Sequence, residues 1–285
     1  MKVYLAKEVG FCFGVKRAIN LTEQALSEHR EVAILGDLVH NPAVTSGLEK
    51  RGLRRIASLE ECRCGAMVVR AHGLPAAEIE AARAAGIEVV DATCPIVRKA
   101  QEAARLLEER GCQVIVVGDT GHPEILGILG GLEDPSRHLV VDSVEELRHA
   151  HQERRIRRKV GVVFQTTHSL ELCQDIIREL MWMAREVQVI NTVCRPVRNR
   201  QDEAGRLAAR VDVMIVVGSL KSANARELTR LLRTYNQNTI QIENAEQLDL
   251  SRFTGSESVG IASALSTPED VVYLVRERLL AAFPE

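Results

Sequence analysis

Cys12, Cys94 and Cys194 each lie 24 residues ahead of a glycine, Gly36, Gly118 and Gly218, that closes a short apolar run. A thiol that recurs at one place in three similar units can meet its equivalents near a pseudo-threefold axis. Three thiolates gathered there would hold a metal or a cluster with one coordination position open, and an open position means chemistry rather than scaffolding. Histidines accompany the cysteines: His40 in Val39-His40-Asn41-Pro42, His72 in Ala71-His72-Gly73 and His122 in Gly121-His122-Pro123-Glu124 all sit in Gly/Pro turns after expected strands. One turn histidine is ordinarily just solvated. Three at the mouths of three strands, together with the cysteines, suggest one shared pocket.

Glu124 adjoins His122 and Pro123. A buried carboxyl at that place could deliver protons, a role worth roughly 10²–10⁴ in rate. A glutamate opening a helix is equally expected from the macrodipole, and both readings stand at this point. Thr166, Thr167, Ser222, Asn224 and Ser266 are the remaining polar turn residues. Such neutral donors, with backbone N–H groups at helix starts, could cradle an anion without a lysine. The chain has no G-x-x-x-x-G-K-[ST] and no G-x-G-x-x-G element, so neither a nucleoside triphosphate nor a nicotinamide dinucleotide is indicated.

The elements that must position these residues recur in the same order three times. Cys12 is followed by a helical stretch Lys16 to His29, a strand Val32 to Leu35 and the turn Gly36-Asp37; Cys94 by a helix Ile96 to Arg110, a strand Val114 to Val117 and Gly118-Asp119; Cys194 by a helix Val197 to Ala209, a strand Val213 to Val217 and Gly218-Ser219. Each copy then adds a helix, a strand and a polar turn: Ala71-His72-Gly73, Gln165-Thr166-Thr167-His168 and Ser263-Ala264-Leu265-Ser266. Thr166 and Ser266 each come 48 residues after their glycine, whereas His72 follows Gly36 by only 36, so the first copy is shorter. The reading is an α/β fold of three similar modules, residues 1–92 (with an N-terminal strand and the Cys12 turn), 93–192 and 193–285. Alternation of short β-branched runs with Ala/Leu/Glu/Arg-rich helices argues for mostly parallel, helix-covered sheets. Ligands gather beyond the carboxyl ends of such strands, where the three glycines lie.

At 285 residues and 46% apolar content the chain is ample for several buried cores. No apolar run approaches the roughly 20 residues that span a bilayer, and the amino terminus reads as a strand and cysteine turn, so a cytoplasmic protein with no membrane association is expected. A net charge of −2 gives no reason to invoke nucleic acid. The basic run Arg154-Arg155-Ile156-Arg157-Arg158-Lys159 reads as a solvated loop, with docking of an acidic protein as the sharper alternative. Seven cysteines in a reducing compartment are thiols or metal ligands rather than a disulfide framework. Cys112 and Cys173 read as small core residues, and Cys62-Arg63-Cys64 as a loop pair of thiols with no second pair at zinc-site spacing. His29, His138, His149 and His151 carry no functional context, and His168 reads as a helix-start residue.

Taken together, these residues resemble the 4-hydroxy-3-methylbut-2-enyl diphosphate reductase family, the LytB-type iron-sulfur enzymes. The matching text is Gly10-Phe11-Cys12-Phe13-Gly14-Val15 with Arg17-Ala18, Val39-His40-Asn41, Ala71-His72-Gly73, Asp91-Ala92-Thr93-Cys94-Pro95, Gly121-His122-Pro123-Glu124 and Gln165-Thr166-Thr167, in order along nearly the whole chain. The resemblance implies three α/β modules about a central [4Fe-4S] cluster held by three cysteine ligands, Cys12, Cys94 and Cys194, with the fourth iron free for the substrate's allylic hydroxyl. It implies that His40, His72, His122, Ser222, Asn224 and Ser266 bind the substrate and that Glu124, Thr166 and His122 serve proton delivery. The implied reaction is reductive dehydroxylation of the allylic diphosphate to isopentenyl and dimethylallyl diphosphates, the last step of the methylerythritol phosphate route, with electrons from a ferredoxin or flavodoxin-type donor.

The resemblance is weaker in the third module. After its cysteine the family usually has Ala-Thr and then Arg-Gln, whereas here Arg195-Pro196-Val197 precedes Arg198-Asn199-Arg200-Gln201. The family's paired serines become Ser222-Ala223-Asn224, and its Thr-Ala-Gly-Ala-Ser turn reads Ala262-Ser263-Ala264-Leu265-Ser266. Fewer hydrogen bonds to an anion result, each worth about 1.5–3 kcal/mol. Two alternatives therefore stand beside the reductase: a paralogous [4Fe-4S] reductase or lyase acting on another small substrate, and a redox or metal sensor, which Glu124 and Thr166 disfavour.

Overall fold

The computed structural model describes residues 1–39 and 41–284. The chain opens with β1 (Lys2–Leu5) and α1 (Phe13–Glu28) and continues through β2 (Val32–Leu35), α2 (Pro42–Glu49), β3 (Leu53–Ile56), β4 (Ala66–Val69), α3 (Ala76–Ala84) and β5 (Glu88–Asp91). The second repeat runs α4 (Pro95–Glu109), β6 (Gln113–Val117), α5 (Pro123–Leu129), β7 (Leu139–Val141), α6 (Val144–Gln152), β8 (Lys159–Phe164), α7 (Leu170–Met183) and β9 (Glu186–Val189). The third runs α8 (Arg195–Ala208), β10 (Val213–Val217), α9 (Ala223–Tyr235), β11 (Thr239–Ile242), β12 (Ser258–Ser263) and α10 (Glu269–Ala282).

The strands form three four-stranded sheets, β3-β2-β4-β5, β7-β6-β8-β9 and β11-β10-β12-β1, and every strand pair is parallel. The connectivity is the same in all three. The strand after each cysteine helix is central, and the outer strand beside the third leads to the next cysteine. The N-terminal strand, grouped by sequence with the first module, is hydrogen-bonded to β12 in register Lys2↔Ser258 through Leu5↔Ile261. It thus fills in the third sheet the place that β5 and β9 fill in the first two.

Alternation along the central strands explains how both faces of a sheet are covered. In β6, Ile115 and Val117 pack with Leu147, Ile176 and Leu180 of α6 and α7, while Val114 and Val116 pack with Ala100, Ala104, Leu107, Ile125 and Ile128 of α4 and α5. In β10, Ile215 and Val217 join Val272, Val275 and Leu279 of α10, while Met214 and Val216 join Ala204, Ala208, Leu228 and Leu232 of α8 and α9. Cys112 and Cys173 lie inside these cores as expected. Cys62 and Cys64 are half-buried thiols beside the first sheet's core. The basic run is an exposed loop entering β8, with Arg154 in the left-handed region at φ 57.

The chain divides into two compact units. One comprises Met1–Lys16, His40–Val44 and Arg195–Glu285; the other comprises Arg17–Val39 and Thr45–Cys194. Among the described residues no helix is long and apolar enough to cross a membrane.

Candidate functional site

Each cysteine of the repeat is the residue just before a helix: Cys12 before α1, Cys94 before α4 and Cys194 before α8. Each also donates its backbone N–H to the polar turn that follows the third strand of its sheet neighbourhood, Cys12 to the Leu265 carbonyl at 3.0 Å, Cys94 to Ala71 at 2.9 Å and Cys194 to Thr166 at 2.9 Å. The unpaired N–H groups at a helix N-terminus carry partial positive charge, so such a place suits an anionic ligand set. The Val15 N–H points at the Cys12 Sγ at 3.4 Å. Soft thiolates so presented are the donors that zinc, copper(I) and iron-sulfur clusters select. Each position by itself suits a cysteine ligand to such a group.

In the second unit four predicted residues come together. Glu124 is the second residue of α5 and is 1% exposed. Its Oε1 accepts the Thr166 N–H at 2.7 Å and its Oε2 accepts the Thr166 hydroxyl at 2.9 Å. Burial pushes the Glu124 carboxyl up to about 7, against the two Thr166 bonds, which favour the carboxylate. Its backbone N–H donates to His122 Nδ1 at 3.1 Å, which makes Nε2 the protonated nitrogen of the neutral ring. His122 in turn meets His72 edge to face, with ring centroids 5.4 Å apart. His72, His122, Glu124 and Thr166 thus form one chain of contacts beyond the carboxyl ends of β4, β6 and β8.

Close approach makes two glycines of this region obligatory. A Cβ on Gly118 would lie 2.4 Å from Ile125 Cδ1 and 2.7 Å from Gln165 Oε1, and one on Gly73, at φ +80, would lie 2.9 Å from Gln101 Nε2. Gln165, fully buried, holds the turn after β6 by accepting the Asp119 N–H at 2.8 Å.

The first unit carries the remaining polar residues. Ser222 caps α9, its hydroxyl accepting the Ala225 N–H at 3.3 Å, and Asn224 follows half-buried in the first turn. Ser266 is buried in the turn after β12, and its carbonyl accepts the Asn41 side-chain N–H at 2.7 Å. Since β10 and β12 are paired neighbours, the Ser222 and Ser266 turns open at the same end of one sheet. The departures noted from sequence are packed rather than polar: Val197 and Ala223 are both buried, and Ala264 lies against Gly218. His40 lies outside the described residues.

A family model described as LytB protein matches residues 3–280. The chain belongs to the LytB family. It is 41% identical over 279 residues to the 4-hydroxy-3-methylbut-2-enyl diphosphate reductase of Geobacter sulfurreducens, covering 98% of this chain and 97% of that one. A solved structure of (E)-4-hydroxy-3-methyl-but-2-enyl diphosphate reductase, the terminal enzyme of the non-mevalonate pathway, is 38% identical with a TM-score of 0.68, covering 99% of this chain and 100% of its own. The reductase structure from Plasmodium falciparum is 27% identical with a TM-score of 0.90, covering 98% of this chain and 88% of its own.

Sequence reasoning assigned no role to three further residues of the LytB fold here. Gln165 orders the turn after β6, Gln101 fills the space beside Gly73 and Gly127, and Arg200 is buried among backbone carbonyls. Gln165 stands inside matched text, which was the available signal; Arg200 lies in the third module where the resemblance is weaker, and Gln101 sits in ordinary helical sequence, where only tertiary contact distinguishes it.

Proposed function

We propose that this chain catalyses the reductive dehydroxylation of (E)-4-hydroxy-3-methylbut-2-enyl diphosphate to isopentenyl and dimethylallyl diphosphates. Membership of the LytB family and the reductase relatives over nearly its full length support this reading. The observation that carries it is the buried Glu124. A carboxyl held near 7 is half protonated at neutral pH and so is matched to proton delivery.

Cys12, Cys94 and Cys194 would hold a [4Fe-4S] cluster through three thiolates, supported by their common place before three helices and their matching backbone bonds. Bound there, the cluster supplies single electrons and a Lewis-acidic position for the leaving hydroxyl. The chain's own residues do the rest. The Thr166 hydroxyl and N–H orient the Glu124 carboxyl, and the Thr166 carbonyl ties the same turn to the Cys194 loop. The proton on Glu124 is thereby held at a fixed place relative to one ligand. His40, His72, His122, Ser222, Asn224 and Ser266 would surround the diphosphate, with hydrogen-bond donors supplied by imidazoles, hydroxyls and an amide rather than by lysine or arginine.

The three modules near 1–92, 93–192 and 193–285 each supply one cysteine, with β1 lent to the third sheet. The reaction needs two electrons and two protons, and a cytoplasmic ferredoxin or flavodoxin-type protein would deliver the electrons. The deciding experiment is an anaerobic assay of iron-reconstituted protein with the allylic diphosphate and a chemical reductant. Formation of both isoprenoid diphosphates is expected. Bound iron without product would favour a different small substrate, in keeping with the altered third module, and stoichiometric zinc without iron would overturn the cluster.

A further inference from the structure

Arg200 of α8 is 8% exposed, yet among the described residues none of its hydrogen bonds goes to a carboxylate. Its Nη1 donates to the Ser263 carbonyl and hydroxyl at 3.3 Å each and to the Ala264 carbonyl at 3.1 Å. Nη2 donates to the Gly10 carbonyl at 2.7 Å, while Nε is buried with no acceptor. Carbonyls and a hydroxyl replace only part of the hydration a guanidinium loses, so a cation buried in this way calls for an anion nearby. Burial holds the group below its ordinary range, and the groups nearby whose negative charge would favour it are Cys12, Glu8 and Glu203. Arg200 and Cys12 line the same groove of about 440 Å³, with Phe11, Phe13 and Tyr273.

The loop that carries Cys12 is fixed at both backbone groups of Gly10. That glycine has φ +85; its N–H donates to Ser263 Oγ at 3.2 Å while its carbonyl accepts from Arg200. Two residues on, the Cys12 N–H donates to the Leu265 carbonyl. Two bonds thus stitch Gly10–Cys12 to Ser263–Leu265, and Arg200 bridges the two segments.

We propose that Arg200 is a positioning residue for Cys12: through Gly10 it fixes the loop that presents the sulfur, and its charge offsets the negative charge of an iron-sulfur group bound there, raising that group's reduction potential. The charge half of this inference rests on the function proposed above; the positioning half does not. A cation near a cluster stabilises its reduced, more negative state, and groups that hold a metal ligand in place typically govern affinity by about 10–100-fold.

The test compares Arg200→Lys, Arg200→Met and Ser263→Ala as reconstituted protein, by redox titration followed by electron paramagnetic resonance and by the rate of iron loss to a chelator. Arg200→Met should shift the potential to more negative values and lose iron at least about tenfold faster. Arg200→Lys and Ser263→Ala should keep the potential and still lose iron faster, because charge remains while the clamp is cut. A potential unchanged in Arg200→Met overturns the electrostatic role, and iron loss at the wild-type rate in all three overturns the positioning role. In iron-free protein Arg200→Lys and Ser263→Ala should speed amide hydrogen exchange across residues 10–12, and unchanged exchange there overturns the clamp. Wild-type protein that takes up no iron would instead count against the cluster assignment.

Discussion

Replacing Glu124 by glutamine should change how stability depends on pH as well as how fast the protein turns over. The carboxyl rises from 4.5 to about 7 on folding because burial disfavours the charged form. The folded protein therefore binds a proton that the unfolded chain has already released across that interval, and stability falls as pH rises through it. The contribution is complete below about 4.5 and is lost above about 7, and its size is about 3 kcal/mol. Glutamine is isosteric and uncharged. Its carbonyl can still accept the Thr166 N–H and its amide can donate to the Thr166 hydroxyl, so the site is kept while the titration is removed. Urea denaturation of wild type and Glu124→Gln at pH 5 and pH 8 measures the effect, and the difference between the two proteins cancels every other titrating group. The variant should match or fall slightly below wild type at pH 5 and gain up to about 3 kcal/mol on it at pH 8. Parallel stability curves would show that Glu124 is ionised in the fold and refute its assignment as the acid. In the proposed reaction the same variant should bind iron normally and turn over at least about 100-fold more slowly.

Thr166→Val removes the hydroxyl bond that favours the Glu124 carboxylate, so the fall in rate on the alkaline side of the pH-rate profile should move upward from about 7 while the Cys194 N–H keeps its acceptor. Cys94→Ser should leave the helix start intact and abolish stable iron binding, read by iron analysis and the loss of brown colour. Gly118→Ala would press a methyl group onto Ile125 and Gln165 and should cost about 1–3 kcal/mol in a urea melt.

Much of this arrangement was legible in the chain. The runs Val32 to Leu35 and Val213 to Val217 became strands with those bounds, because β-branched residues buried on both faces leave little alternative. The 24-residue interval from cysteine to glycine proved to be one helix, one central strand and their loops, repeated three times. Glu124 stands in the first turn of α5, as the helix-start reading expects, and its carboxyl is buried and pushed up to about 7. Its environment comes from Thr166, 42 residues away, which no local pattern announces.

Residue type and spacing alone determined the repeat, the cysteine at each helix start, the polar turns and the family, since these follow from local periodicity and matched text. Tertiary structure decided that β1 completes the third sheet, that Glu124 is buried, and that Arg200 spends its donors on Gly10, Ser263 and Ala264. Parallel pairing joins residues more than 250 positions apart, and desolvation is set by whatever packs around a group. Neither is a property of neighbouring letters in the chain.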